Sequence, residues 1–160
     1  MGVSLTPDYY YDVMGLESIK SLPVKSIAHK DSVLFLWTTN PMLREGLEVM
    51  DAWGFEYVTT ITWFKTNSKG PGYWFRGYTE HLLFGKRGNV RSFRCQERNL
   101  QQHPFTRHSE KPALFRRLIE TATIGMNPKV ELFARERVEG WDAWGDEVPK
   151  GSQSSLEAIA

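Results

Sequence analysis

The chain has one cysteine, Cys95, and no apolar run that approaches the roughly 20 residues needed to cross a bilayer. A lone thiol excludes an internal disulfide framework. No apolar stretch of the signal-peptide kind follows Met1, so the expected setting is soluble and cytoplasmic, with a nuclear one as the alternative, and no membrane partner is expected. His81 and His108 have no third ligand at metal spacing, so no metal site is expected. Internal repeats and low-complexity core segments are also lacking.

What the chain does have is unevenly spread charge. Its net charge is only +1, yet residues 65–117 carry 12 Lys and Arg against Glu80, Glu97 and Glu110, a local +9, leaving −8 for the remainder. Such a partition marks a surface that meets polyphosphate, although a merely solvated face has the same composition. At 160 residues the chain is long enough for one core. The expected division is a single domain over 1–148 and a polar, aperiodic, disordered tail over 149–160.

Residues 33–38 (VLFLWT) form a short continuous apolar run of the kind buried on both faces of a parallel sheet. Asn40 and Pro41 then offer a cap and a first helical position. Leu43, Leu47 and Met50 recur at helical spacing until Gly54. Residues 55–64 and 81–85 are rich in β-branched, aromatic and apolar types and read as strands, separated by a long basic loop around Gly70 and Gly72. A second helix is expected from about Ser109 with Pro112 in its first turn, followed by a last strand over 129–134. One short helix is expected around Leu16, Ile19 and Leu22. Strands alternating with helices predict an α/β domain with a largely parallel sheet, both faces covered. Ligands of such sheets bind beyond the carboxyl ends of strands, which singles out the tips at 37–40 and 135–137.

The ordered blocks YYDVMGLESIKSLPV, LFLWTTNPM, WGFEYVTTITWFKTN, TEHLLFGKRGN, HSEKP and ELFARERVEGWDAWGDE resemble the adenine-N6 methyltransferase family typified by the catalytic subunit of the eukaryotic messenger-RNA writer. The resemblance runs from Tyr10 to Val148. It implies a Rossmann-like fold, S-adenosylmethionine as cofactor and methylation of the N6 amine of adenine in DNA or RNA. It also implies cofactor-binding roles for Lys111, Arg135, Arg137, Asp146 and Glu147. Relatives often carry His at the position of Arg137 and amides at 146 and 147. Plainer readings stand beside these: Lys111 as a solvated residue at a helix start, Arg135 as an ion-pair partner of Glu139 or Asp142, Trp141 and Trp144 as packing residues, and Glu80 and His81 as supports of the fold.

The family's tetrad, Asp-Pro-Pro-Trp, draws the adenine amine toward tetrahedral geometry with a carboxylate and a carbonyl beside an aromatic wall. No such tetrad occurs in the chain, so no residue is assigned a catalytic role. In this class of fold the tetrad strand lies between the strands matching 129–134 and 33–38, so one central strand is expected to be missing and two edges to face a gap, as in an N-terminally shortened protein. The loop at 65–79, with Lys65, Lys69, Tyr73, Trp74, Phe75 and Arg76, is expected to clamp nucleic acid through charge and stacking. The leading expectation is thus an adenine-N6 methyltransferase domain inactive by itself. The alternatives are a non-catalytic nucleic-acid-binding subunit, forming a homo- or hetero-dimer with a family member, and a small-molecule methyltransferase.

Overall fold

Apolar alternation fixes both faces of the first strand. In β1 (Ser32–Thr39), Leu34 and Leu36 pack with Ile19, Val24, Val49, Trp53 and Phe55, while Phe35 and Trp37 join Trp63, Leu82 and Phe115 on the opposite side. Helices therefore lie on both sides of the sheet: α1 (Leu16–Ser21), α2 (Val24–Ile27) and α3 (Leu43–Ala52) on one, α4 (Ala113–Ala122) on the other. The computed structural model describes residues 14–70, 72–91, 93–106, 110–145 and 148. Asp146, Glu147, His108 and the stretch 149–160 lie outside the described residues, as do the first 13.

The main sheet has four strands in the order β1-β3-β2-β4, where β2 is Glu56–Lys65, β3 is Thr79–Arg87 and β4 is Leu100–His103. The expectation of a largely parallel sheet is corrected: β3 lies between β1 and β2 and runs antiparallel to both, and only β2 and β4 pair in parallel. The connection explains the difference. The described residues between 66 and 78 form no helix, and parallel neighbours need a crossover that is usually helical. A separate two-stranded parallel sheet pairs β5 (Val130–Leu132) with β6 (Asp142–Trp144).

Smaller corrections follow from side-chain competition. Asn40 does not cap a helix, because its carboxamide is held by Thr79 and His81, and the chain makes a single 3-10 turn at Asn40–Met42 before α3 begins. Helix α3 ends where the Gly54 N–H donates to Asp51 O and the Phe55 N–H to Met50 O, the paired bonds that close a helix terminus. The second helix starts at Ala113, with Pro112 extended before it, instead of near Ser109. Two short helices replace the one expected near Leu16.

The apolar run of β1 is also less enclosed than its composition predicts. Val33 to Trp37 are only half-buried, because among the described residues β1 pairs with β3 alone and its other edge faces a cleft. By contrast Trp63, Leu82, Leu83, Met50 and Phe115 have almost no exposed surface and form the packed floor and centre of the domain.

Candidate functional site

Strand register assembles the site. Glu80 lies opposite Trp63 and Thr39, and Leu82 opposite Trp37 and Ile61, so Glu80, Trp63, Trp37 and, two positions on from Trp63, Lys65 all project from the α4 side. Lys111 arrives there from the segment that precedes α4, with Phe115 one turn later packing against both rings. The ring centroids of Trp37 and Phe115 are 4.8 Å apart at 79°, and those of Trp37 and Trp63 6.2 Å apart at 75°, the edge-on geometry aromatic quadrupoles prefer.

On this aromatic floor sits one carboxylate between two ammonium groups. Lys111 Nζ donates to both carboxylate oxygens of Glu80 at 3.0 Å, and Lys65 Nζ lies 3.3 Å from Oε2. The Glu80 side chain is only 13% exposed. Lys111 Nζ also lies 5.0 Å from the Trp37 ring centre, and Lys65 Nζ 4.9 Å from that of Trp63 and 5.6 Å from that of Phe105. Burial pushes the Glu80 carboxyl up, but the Lys111 and then the Lys65 charge outweigh it, so its pKa falls below the ordinary value. Burial lowers the Lys111 ammonium, against the pull of Glu80. Both values fall, because two cations outweigh burial at Glu80 whereas a single anion does not offset burial at Lys111.

Beside it, Asn40 Nδ2 donates to the Thr79 carbonyl at 3.1 Å and to Thr79 Oγ1 at 3.0 Å, which leaves Asn40 Oδ1 to accept from His81 Nε2 at 2.7 Å. His81 Nδ1 then accepts from Thr62 Oγ1 at 3.3 Å. The network assigns the neutral tautomer with the proton on Nε2. It ties the carboxyl end of β1 to β2 and β3, the supporting role read for His81.

A cleft of about 2140 Å³ opens in front of these groups, with β1 on one wall and β5 on the other. Lys111, Lys65 and Glu80 line it, and so does Arg135, whose charge contributes to lowering the pKa of Lys111. Phe133, the one non-glycine described residue with positive φ (60°), turns the chain between β5 and Arg135 and packs edge-on against Trp144 at 5.3 Å. Arg137 is exposed and does not line the cleft. Trp141 donates to Glu120 Oε1 at 3.0 Å and Arg116 pairs with Glu131 at 3.1 Å, so both tie the two-stranded sheet to α4.

The residues expected to meet nucleic acid divide into two groups. Lys69, Tyr73 and Trp74 are exposed on the loop between β2 and β3, whereas Lys65 belongs to the Glu80 cluster, and Arg76 donates to the Lys69 and Gly70 carbonyls of its own loop. Sequence reasoning did not bring Glu80 together with both lysines or see the aromatic floor. The signal was the alternation of Glu80 with Leu82 on a strand whose partners were not yet fixed. Among the described residues no group of three His, Cys, Asp or Glu side chains is placed to hold a metal ion, and no helix is long and apolar enough to cross a membrane.

Residues 3–147 match the MT-A70 family model. The chain is 36% identical over 147 residues to the Type II methyltransferase M.MunI of Mycoplasma sp, covering 88% of this chain and 61% of the relative. It is 32% identical over 148 residues to the N6-methyladenosine RNA methyltransferase MTA1 of Cryphonectria parasitica (86% and 44%), and 32% identical over 117 residues to the human N(6)-adenosine-methyltransferase catalytic subunit METTL3 (68% and 20%). The chain thus spans less than two thirds of each of these relatives. With a family match over nearly its whole length, the chain belongs to the MT-A70 family of adenine-N6 methyltransferases.

Proposed function

We propose that this chain forms the cofactor-binding and nucleic-acid-facing part of a Rossmann-like, S-adenosylmethionine-dependent methyltransferase that acts on the N6 amine of adenine in DNA or RNA. The observation that carries this reading is the meeting of Lys111 and Arg135, from opposite walls, in one aromatic-floored cleft. The donor set fits such a ligand. An ammonium has three N–H groups, of which Glu80 engages two, so Lys111 retains a donor for a ligand carboxylate, and Arg135 adds a second cation. The bound cofactor would supply an electrophilic methyl group. Glu80 would hold the Lys111 ammonium at a fixed position, while Trp37, Trp63 and Phe115 keep water from the floor of the pocket. Asp146 and Glu147 are proposed to accept hydrogen bonds from ribose hydroxyls.

The proposal extends to the cleft itself. We infer that the gap between β1 and β5 takes an extended segment bearing the Asp-Pro-Pro-Trp tetrad, which the 160 residues do not contain. Three observations favour this. The edge of β1 is apolar and half-exposed, β5 pairs only with β6 among the described residues, and the buried Oε2 of Glu45, on the same cleft wall, has no hydrogen-bond partner among them. An unsatisfied buried acceptor calls for a donor.

Calorimetry with S-adenosylmethionine, followed by a methyl-transfer assay on adenine-containing oligonucleotides with and without a tetrad-bearing family member, tests the reading. Cofactor binding lost in Lys111→Ala, together with turnover that requires the second protein, is the expected result. Binding without turnover under every condition would favour a non-catalytic subunit. Binding unaffected by Lys111→Ala and Arg135→Ala together would overturn the site.

A further inference from the structure

Tyr73, Trp74 and Phe75 are consecutive, and their exposures are 106%, 96% and 93%. The other five tryptophans are buried or half-buried. Three large rings in water are costly unless they serve as a contact surface. Nor is their loop loosely placed. Its base is closed by the bond from the Lys65 N–H to Tyr78 O at 2.8 Å and by the packing of Tyr78 on Phe64. Inside it, the Gly70 N–H donates to Ser68 Oγ at 3.1 Å, and Arg76 donates to Lys69 O at 3.2 Å and Gly70 O at 3.3 Å. Gly70 and Gly72 have φ of +64° and +137°. A Cβ at Gly70 would lie 2.7 Å from the Tyr78 ring and 2.8 Å from Arg76 Cβ, and one at Gly72 would strike the Phe75 carbonyl. The turn is fixed from within and its rings point outward.

We propose that this loop is a preformed stacking platform for unpaired bases of a single-stranded stretch of nucleic acid, and that Arg76 is a positioning residue that holds the platform's shape instead of contacting phosphate. The occupant follows from the surroundings. The rings stand in the +9 segment 65–117, with Lys69 exposed beside them, and flat π-faces in a basic field match bases on a phosphate backbone better than they match an apolar protein surface. In a duplex the base faces are already stacked on one another, so the platform favours single strands. This inference rests on the nucleic-acid reading above but not on cofactor binding or turnover.

The test titrates the full chain with a short oligodeoxyadenylate, and with its duplex on oligothymidylate, across a range of salt. Trp74→Ala and Tyr73→Ala are each expected to weaken single-strand binding roughly tenfold, within the range for loss of one stacked base, with the slope of log K against log salt unchanged. Arg76→Lys keeps the charge but loses the fork. It should weaken binding as much as Arg76→Ala does, again at unchanged slope, whereas Lys69→Ala should lower the slope by about one phosphate contact. An Arg76→Lys variant that binds like wild type, with a reduced slope in Arg76→Ala, would show a phosphate contact and overturn the positioning role. Equal affinity for duplex and single strand, or ring substitutions that leave binding intact and abolish association with a family member, would overturn the platform. Loop-dependent binding without cofactor binding or turnover would sink the proposed enzyme function and leave the platform standing. No binding to either oligonucleotide at low salt would sink the nucleic-acid reading and the platform together. Unchanged Tm in all five variants shows that none of these results reflects unfolding.

Discussion

Two aromatic clusters in this molecule use the same residue types to opposite ends. Trp37, Trp63 and Phe115 lie beneath Lys65 and Lys111 on the floor of the cleft, while Tyr73, Trp74 and Phe75 stand beside Lys69 and Arg76 in water. In the first cluster the rings pack on one another and the cations are held by Glu80, so the rings and the carboxylate are committed internally. In the second only Arg76 is committed, to its own backbone, and the rings remain available. Aromatic and basic composition is therefore the same signal for a structural floor and for a contact surface. Strand register separates the two.

The comparison breaks most directly at stability. Phe115→Ala removes a side chain with 1% exposure that touches both floor tryptophans, and the expected cost is about 3–5 kcal/mol, read from denaturant unfolding. Trp74→Ala should change stability by less than about 0.5 kcal/mol in the same experiment. If the two costs were similar, the loop would be part of the core and the contrast would be false.

Glu80→Gln probes the charge on the floor. It leaves two half-buried ammonium groups facing each other across a neutral amide, with an expected loss of roughly 2 kcal/mol near neutral pH, set below the value for a fully buried pair because the three side chains keep some exposure to solvent. The folded pKa of Glu80 lies below its ordinary 4.5, so its stabilisation is complete above that value and is lost as pH falls through the lower folded value. The difference between wild type and Glu80→Gln should be constant from neutrality down to about pH 5 and shrink only in acid. A difference that changes near neutrality would mean that the carboxyl is not held ionised by the lysines. Asn40→Ala, which removes the bridge between β1 and β3 without touching the floor, should cost about 1 kcal/mol.

How much of this was legible depended on length and on register. The β1, α3 and β2 elements were readable because VLFLWT is a continuous apolar run, Leu43, Leu47 and Met50 keep helical spacing, and Gly54 stops the helix. The strands LQQH and DAW were not, since runs of three or four residues with mixed polarity carry no period and form only by pairing with a partner already in place. The direction of β3 was hidden because nothing in HLLFG says whether its neighbours run with it. Lys65 shows the same limit in the site. In the sequence it heads a basic loop, but β2 extends one residue further than the apolar run suggests and turns Lys65 onto Glu80. Lys111 and Arg135 reached the same cleft from a resemblance between blocks, whereas the carboxylate between the lysines became visible only with the strands paired.

The smallest expected effect tests the boundary between the floor and the solvent. His81 alternates with Glu80 and so sits on the far side of the same strand, where burial lowers its pKa and the nearby Glu80 charge raises it only partly, leaving it below the ordinary 6.5. The neutral ring accepts from Thr62 and donates to Asn40. As pH falls through 6.5 the unfolded chain takes up a proton before the folded one does, so this residue's contribution to stability declines until the folded pKa is passed. His81→Gln keeps a donor for Asn40 but cannot titrate. The variant should therefore lose less stability than wild type between about pH 7 and pH 5.5, while the Glu80→Gln difference stays flat over the same interval. Parallel curves for wild type and His81→Gln would place the imidazole in free contact with water. The network that fixes the carboxyl end of β1 would then have to stand on Asn40 and Thr79 alone.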